Sequence, residues 1–461
     1  MTTVTDVVII GGGPGGYEAA LVARQLGADV TLVHRGVGGS AVLTDCVPSK
    51  ALVATAGAMT DVADSGAVGV RIHGESPAAA DISVDLARVN ARIVELAWTQ
   101  SADIAGQLTS LGVDLIEGRA RLSGLQQVTV EGRTLNADVI LIATGARPRT
   151  LPEAEPDGER ILTWEQLYSL PELPAHLIVV GSGVTGAEFA SAYRALGSRV
   201  TLVSSRDRVL PGEDADAARV IEEVFAQRGI TVLERSRAVA AHNVGSTVEV
   251  TLSDGRVISG SHVLMAVGSL PNSDDLGLDE AGVTLDDRGF IVVDRVSRTS
   301  ARGIYAAGDV TGVLMLASVA AMQGRIAMWH ALGDAVTPLE VDHVSSTVFT
   351  APEIATVGLS QAQMDSGDVR ADVYRMPLAT NARAKMEEIE HGFVKIICRR
   401  SSRIVAGAVV VGPHASELIH PLAIAVEQQM TVDQLAQAFT VYPSLSGSIA
   451  EAARRLHLSA E

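Results

Sequence analysis

Cysteine is almost absent: Cys46 and Cys398 are the only two in 461 residues. That is too few for the disulfide framework of a secreted domain. Lysine is nearly as rare. Lys50, Lys385 and Lys395 are the only ones in an arginine-rich chain, so a lysine inside a motif is conspicuous. Positive charge is outweighed: 36 Lys and Arg face 54 Asp and Glu, a net charge of −18. This argues against nucleic acid or an anionic membrane surface as a partner. Long apolar runs are missing too. Residues 314–328 come nearest and are interrupted by Gln323, Gly324 and Arg325, so no membrane span is expected. The apolar stretch at residues 7–10 is too short for a signal peptide and runs straight into glycines. A cytoplasmic protein is expected.

What is present is a large apolar fraction, 47%, enough for extensive cores. The length predicts roughly two to four domains. Val7-Val8-Ile9-Ile10 has the pattern of a buried parallel strand. Gly11-Gly12-Gly13-Pro14-Gly15-Gly16 follows, then a helical stretch from Tyr17. This is G-x-G-x-x-G between strand and helix. The first glycine permits the turn, the second lets backbone approach a pyrophosphate, and the third lets helix meet strand. The helix N-terminus offers N–H donors and positive potential to phosphates. At the end of the next strand, residues 30–33, an acid should bind ribose, but His34 stands there. A neutral imidazole can still accept one hydrogen bond; a surface histidine without a ligand is the alternative.

A second copy begins at Leu177-Ile178-Val179-Val180. Gly181-Ser182-Gly183-Val184-Thr185-Gly186 opens a helix over residues 187–196, and residues 200–203 form the next strand. Two fingerprints are far more specific than one and imply two nucleotides. After Val203 come Ser204-Ser205-Arg206-Asp207-Arg208, with no acid at the strand end and two arginines near. Arginines there accommodate a 2′-phosphate, which favours NADPH with NADH also accepted. Solvated loop charges are the alternative reading of Arg206 and Arg208. No third fingerprint follows residue 346. Residues 347–357, 392–398 and 404–411 read as strands and 416–428 as a helix, and Cys398 reads as a core thiol.

The stretch Gly38-Gly39-Ser40-Ala41-Val42-Leu43-Thr44-Asp45-Cys46-Val47-Pro48-Ser49-Lys50 resembles the redox loop of the flavoprotein disulfide reductases. That is the family of lipoamide dehydrogenase and glutathione reductase. Ala143-Thr144-Gly145 resembles its exit from the flavin domain, and Ala266-Val267-Gly268 its return from the nicotinamide domain. Ala306-Ala307-Gly308-Asp309 resembles its second flavin motif. Phe349-Thr350-Ala351-Pro352 and Asn381-Ala382-Arg383 resemble its interface domain. The resemblance implies FAD held by Gly11, Gly13, Pro14, Gly15, Gly16, His34, Gly39, Ser40, Lys50, Ala143, Thr144, Gly145, Gly308 and Asp309. It implies NADPH or NADH at Gly181, Gly183, Val184, Gly186, Glu188, Ser204, Arg206, Arg208 and Gly268, with Val184 as gate. No metal site is expected. The fold class implied is α/β, with two Rossmann-like dinucleotide-binding domains and an α+β C-terminal dimerisation domain. The expected division is 1–150 with 273–345 for FAD, 151–272 for NAD(P) and 346–461 for a homodimer interface.

The family's loop carries two cysteines; here the first is Ala41 and the second Cys46. Its lysine lies by flavin N5 and pairs with a glutamate, matched here by Lys50 and Glu188. Its acid–base histidine, which precedes a proline, and the glutamate a turn later are here Tyr442, before Pro443, and Gly447. The equipment for flavin reduction is kept, and three parts of the thiol machinery are gone together. The resemblance is greatest to the branch of NAD(P)H quinone reductases that lack the redox disulfide. It implies hydride transfer from NAD(P)H through FAD to a quinone, with Tyr442 of the other subunit donating a hydrogen bond and Cys46 beside the flavin. A soluble pyridine-nucleotide transhydrogenase, a single-cysteine carrier using Cys46, and a non-catalytic flavin-bound subunit are the alternatives.

Overall fold

The four aliphatic residues Val7, Val8, Ile9 and Ile10 are buried on both faces of a parallel sheet. They do so in a computed structural model that describes residues 4–78, 81–367 and 369–458. The strand order is Ile304–Ala306, Val139–Ile142, Asp6–Ile10, Asp29–His34, Asp114–Glu117. The helix Pro14–Gln25 returns over the sheet and packs on the helix Ala317–Ala331. The same unit recurs around His176–Val180, flanked by Arg199–Val203 and His262–Met265 in a second five-stranded parallel sheet. Parallel strands covered on both sides need near-continuous apolar sequence, and both central strands have it.

The chain leaves the first sheet after Ile142 and returns at residues 269–271. The outgoing strand Ala146–Pro148 and the returning strand Ser269–Pro271 pair antiparallel. Thr144 Oγ1 donates to the Asn272 carbonyl at 2.7 Å, and Asn272 Nδ2 donates back to the Thr144 carbonyl at 3.0 Å. Both crossovers are thus locked to one another. A third sheet is antiparallel, in the order Ser345–Val348, Glu353–Gly358, Val405–Gly412, Phe393–Arg399, Ala371–Pro377. The helices Ala415–Glu427 and Gly447–Leu458 cover it. This is the α/β fold expected, two Rossmann-like sheets and an α+β C-terminal unit.

One core joins all three parts. Leu52 of the helix Cys46–Asp64, Ile93 of Leu86–Ser110, Phe189 and Tyr193 of Val184–Leu196, and Phe393 of the third sheet belong to it. Leu52 and Ile93 are almost fully enclosed and each stabilise the junction by roughly 1.5–3 kcal/mol. Cys398 is also fully buried, as expected. Among the described residues no helix is long and apolar enough to cross a membrane.

Three local expectations are corrected. Residues 113–117 and 127–131 alternate in sequence as if flanking one turn. The first instead joins the first parallel sheet beside Asp29–His34, while Gln127–Val130 pairs with Ala120–Gly124 and Arg133–Asn136. Residues 347–357 are not one strand: the chain reverses at 349–352, and Ser345–Val348 pairs with the end of the same stretch. The strand Ala371–Pro377, half-exposed at a sheet edge, has no counterpart in the expectation. Each error has the same source, since alternation reports a covered face and not the identity of the neighbour.

Candidate active site

The C-terminal ends of the first sheet open into a cleft of about 770 Å³. Gly11 turns with φ +118°, and a Cβ there would lie 2.1 Å from the Ala143 carbonyl oxygen. A Cβ on Gly16 would lie 1.8 Å from the Gly11 oxygen. At Gly13 it would meet nothing nearer than the Gly39 Cα at 4.0 Å. The outer glycines are therefore fixed by packing, and the middle one leaves backbone open to a ligand. Gly13 N-caps the helix without a side-chain cap bond, so the first turn faces the cleft with its N–H donors. The second turn repeats the pattern: Gly181 and Gly186 are sterically obliged, while Gly183 is open. Both turns fit a dinucleotide pyrophosphate.

The flavin-designated residues Gly11, Gly13, Pro14, Gly15, His34, Gly39, Ser40, Ala143, Thr144, Gly145, Gly308 and Asp309 line this cleft, as does Cys46. Gly16 lies behind them. His34 sits at the ribose end expected for an acid. Its Nδ1 accepts from the Gly36 N–H at 3.1 Å. Burial holds the ring below the ordinary histidine value, with Glu117 opposing. The sequence suggested an acceptor, but that nitrogen is already used; toward the cleft the neutral ring offers Nε2–H, a donor that a ribose hydroxyl can meet.

The loop of residues 38–50 is more helical than expected. Gly39–Leu43 forms one turn, and the helix Cys46–Asp64 starts at the cysteine itself. Pro48 is tolerated in the first turn, where its missing N–H costs nothing. Cys46 and Lys50 are four apart, so both side chains fall on one face. Lys50 Nζ donates to Glu188 Oε2 at 2.9 Å, from half-exposed to buried. Glu188 lies one turn into the helix Val184–Leu196, and its Oε1 accepts from the Phe349 N–H at 2.8 Å. The Phe349 ring lies 4.9 Å below the ammonium. Burial works against the Lys50 charge, but the Glu188 carboxylate outweighs it and the ammonium is held above its ordinary value. All three parts of the chain meet at this pair. Phe349 is a site residue that sequence reasoning quoted only as an interface motif.

Both cysteines are free. The Cys46 thiol is pushed up to about 11 by burial and by Asp45, with Lys50 opposing. It is a neutral thiol near pH 7, not a thiolate. Sequence reasoning passed over three further groups here. Asp45 and Glu165 line the cleft, and the Thr44 hydroxyl donates to Glu165 at 3.3 Å. Tyr168 is buried behind them. Burial raises the Asp45 carboxyl, Lys50 opposing, and pushes Asp309 up to about 6, helped by Asp45. The only signal for Asp45 was its place beside Cys46, where an aspartate reads as an ordinary helix cap.

At the second turn, Val184 is the first helical residue and 43% exposed. Arg206 is exposed and Arg208 half-buried, with its Nη2 3.4 Å from the Pro211 carbonyl. Ser204 is not placed as expected. It is fully buried, 2.7 Å from the Ser182 hydroxyl, and its Oγ donates to loop carbonyls. It shapes the arginine loop from inside. Gly268 turns with φ +102°, and its carbonyl accepts from the Arg149 N–H. Tyr442 is elsewhere: 85% exposed, beside exposed Val441 and Phe439, away from the cleft of its own chain. Gly447 begins the last helix.

Two dinucleotide turns with a lysine–glutamate pair between their domains define a flavin- and nicotinamide-dependent oxidoreductase. The pyridine nucleotide-disulphide oxidoreductase family matches residues 5–324, and its dimerisation domain matches residues 344–453. The NAD(P)H dehydrogenase (quinone) of Mycobacterium tuberculosis is 54% identical over 98% of this chain and 94% of its own. The dihydrolipoyl dehydrogenase of Zymomonas mobilis is 33% identical over 97% and 96%. The crystal structure of LpdA from M. tuberculosis superposes with a TM-score of 0.93, covering 98% of this chain and all of that one at 54% identity. The HOCl-induced flavoprotein disulfide reductase RclA of Escherichia coli gives 0.86 at 25% identity, covering 97% and 99%. The chain belongs to the pyridine nucleotide-disulphide oxidoreductase family, whose members depend on FAD with NAD(P)H as electron donor.

Proposed function

We propose that the protein is an FAD-dependent NAD(P)H dehydrogenase that passes electrons to a quinone, with no redox disulfide and no lipoamide dehydrogenase activity. One observation carries this: Lys50 and Glu188 are joined at 2.9 Å while Cys46 stands free with Ala41 in place of a second thiol. FAD would supply the hydride relay between nicotinamide and acceptor. Residues 1–150 and 273–345 would hold it, residues 151–272 the NAD(P)H, and 346–461 would pair two subunits. Gly13 would leave room for the pyrophosphate, Asp309 and Ser40 would meet its flavin side, and His34 would donate to ribose. The charged Lys50, fixed by Glu188, stabilises negative charge developing at the ring. Arg206 and Arg208, held by Ser204, favour NADPH, and Val184 covers the nicotinamide. Tyr442 of the partner subunit would orient a quinone oxygen, which suits its exposure beside Phe439 and Val441.

The test is anaerobic reduction by NADPH or NADH, followed in turn by a naphthoquinone, oxidised lipoamide, a thio-nicotinamide nucleotide and peroxide. Bleaching of the flavin, then rapid reoxidation by naphthoquinone alone, is expected. Reoxidation by the thio-nicotinamide in preference would make the protein a transhydrogenase, and peroxide would make Cys46 the carrier. A flavin that never bleaches would leave a non-catalytic subunit.

A further inference from the structure

Asp45 precedes the helix Cys46–Asp64 at the position where an aspartate normally accepts a bond from the first-turn N–H groups. It makes no such bond; its backbone, at φ −129° and ψ −94°, does not set up a cap. Its carboxylate has no hydrogen-bond partner among the described residues, yet it lines the cleft next to Cys46. The Tyr168 hydroxyl, on a residue 8% exposed, is also without a partner. Asp45, Tyr193, Glu188 and Cys46 are the groups it feels. The buried Tyr193 hydroxyl is unpartnered too, as is the Asn90 Oδ1, whose amide donates to the Leu167 and Leu170 carbonyls on either side of Tyr168. Buried polar atoms are rarely left so, and several together are what bridging water satisfies.

We propose that Asp45 is the acid of the electron-accepting half of the reaction and that Tyr168, through buried water, is the residue that positions and resupplies it. This rests on the quinone reading above. A quinone that takes a hydride equivalent still needs one proton to become a hydroquinone. The Asp45 O–H bond breaks, an O–H bond forms on the quinone oxygen, and the carboxylate left behind takes a proton from solvent along the Tyr168 water. The net change is NAD(P)H, a proton and quinone to NAD(P)+ and hydroquinone. Of the other cleft carboxyls that face it, Glu165 accepts from Thr44 and Asp309 is given to the flavin side, which leaves Asp45. Lys50 is committed to Glu188. Cys46 is too weak an acid near neutral pH to serve well. The charged and titratable groups facing Asp45 are Lys50, Glu188, Glu165, Cys46 and Asp309, so carboxyls outnumber the single ammonium. Such crowding, with burial, raises a carboxyl above its ordinary value.

The experiment uses the purified holoenzyme and two near-isosteric variants. In Asp45→Asn, reoxidation by naphthoquinone should fall about a hundredfold more than bleaching does. The decline of wild-type turnover with rising pH should vanish. An infrared titration of the oxidised holoenzyme should show a protonated-carboxyl band that persists above the ordinary aspartate range and that Asp45→Asn lacks. Tyr168→Phe should lower kcat with KM unchanged and move the pH limb upward, because the carboxylate loses a donor; a merely structural tyrosine would leave the limb in place. Equal reoxidation of wild type and Asp45→Asn, or a carboxyl band unaffected by that change, overturns the inference alone. A wild type inert to quinone overturns the quinone reading and this inference together.

Discussion

Two of the three lysines make ion pairs that bridge separate parts of the chain, and the two pairs are built to opposite specifications. Lys50 has one carboxylate, Glu188, and its side chain is 32% exposed. Lys395 is 2% exposed and bonds both oxygens of Asp214 at 2.9 Å and Asp216 at 2.7 Å. It lies over the Phe393 ring, which Arg375 also contacts. Asp214 additionally caps the helix Ala215–Gln227 through the Asp216 and Ala217 N–H groups. The second pair is saturated and closed, and it fastens the antiparallel sheet to the helix Ala215–Gln227. The first spends only one donor on its carboxylate. The difference shows how one residue type is closed off when all three donors are spent and stays partly open when only one is.

The contrast would break first at Lys395. In Lys395→Ala the buried Asp214 loses its cation while Asp216 keeps only its ion pair with Arg219, and loss of one partner of a buried pair costs about 3–5 kcal/mol. Thermal and urea denaturation should show a destabilisation of that order. Unchanged stability would mean that solvent reaches the junction. Glu188→Ala should act on rate instead. Without its carboxylate Lys50 loses the group that holds it charged and placed, and the Phe349 N–H loses its acceptor. Flavin bleaching by NADPH in stopped flow should slow by about a hundredfold. An unchanged rate would remove Lys50 and Glu188 from the reductive step.

A smaller effect separates the pairs by pH. The Lys395 hydrogen bond holds Asp216 below its ordinary 3.8, against burial. A depressed carboxylate contributes stability that is present above the unfolded value and lost as pH falls through the folded one. Lys50 is held above 10.5, so its contribution is complete below that value and lost as pH rises through the folded one. Urea titrations should therefore lose an acid limb in Lys395→Ala and an alkaline limb in Glu188→Ala. The same limb lost in both variants would mean that the pairs are not distinct.

That asymmetry also decided what the sequence could reveal. Lys50 and Glu188 are 138 residues apart, yet each stands at a fixed offset from a recognisable turn. The glycine turns were legible for a steric reason, since a Cβ at Gly11 or Gly16 would collide with backbone. Lys395 and Asp214 are 181 residues apart, with neither in a motif; a lysine in a strand and an aspartate before a helix carry no mark of each other. Asp45 was hidden because its residue type suits a cap, and only the backbone shows that it does not cap. Ser204 was misplaced because sequence locates a residue at a strand end without saying which way its hydroxyl turns. Tyr442 was legible as a substitution at a known place, but its side chain is exposed away from the cleft of its own chain.

The smallest effect is expected at Cys46, the residue a disulfide reductase could least afford to lose. Ala41 removes the partner it would need, and burial with Asp45 keeps the thiol neutral. Replacing it by serine changes neither charge nor, by more than a fraction, volume. The one cost is a hydroxyl in place of a softer group in a half-buried position, and a serine can bond its own helix turn. Quinone turnover in Cys46→Ser should therefore fall by less than about threefold, under ~0.7 kcal/mol in the barrier. A fall comparable to that of Glu188→Ala would mean that the lone sulfur takes part in the transfer. The two halves of the loop, Cys46 and Lys50 on one helical face, would then have to be read as working together rather than as one retained and one left over.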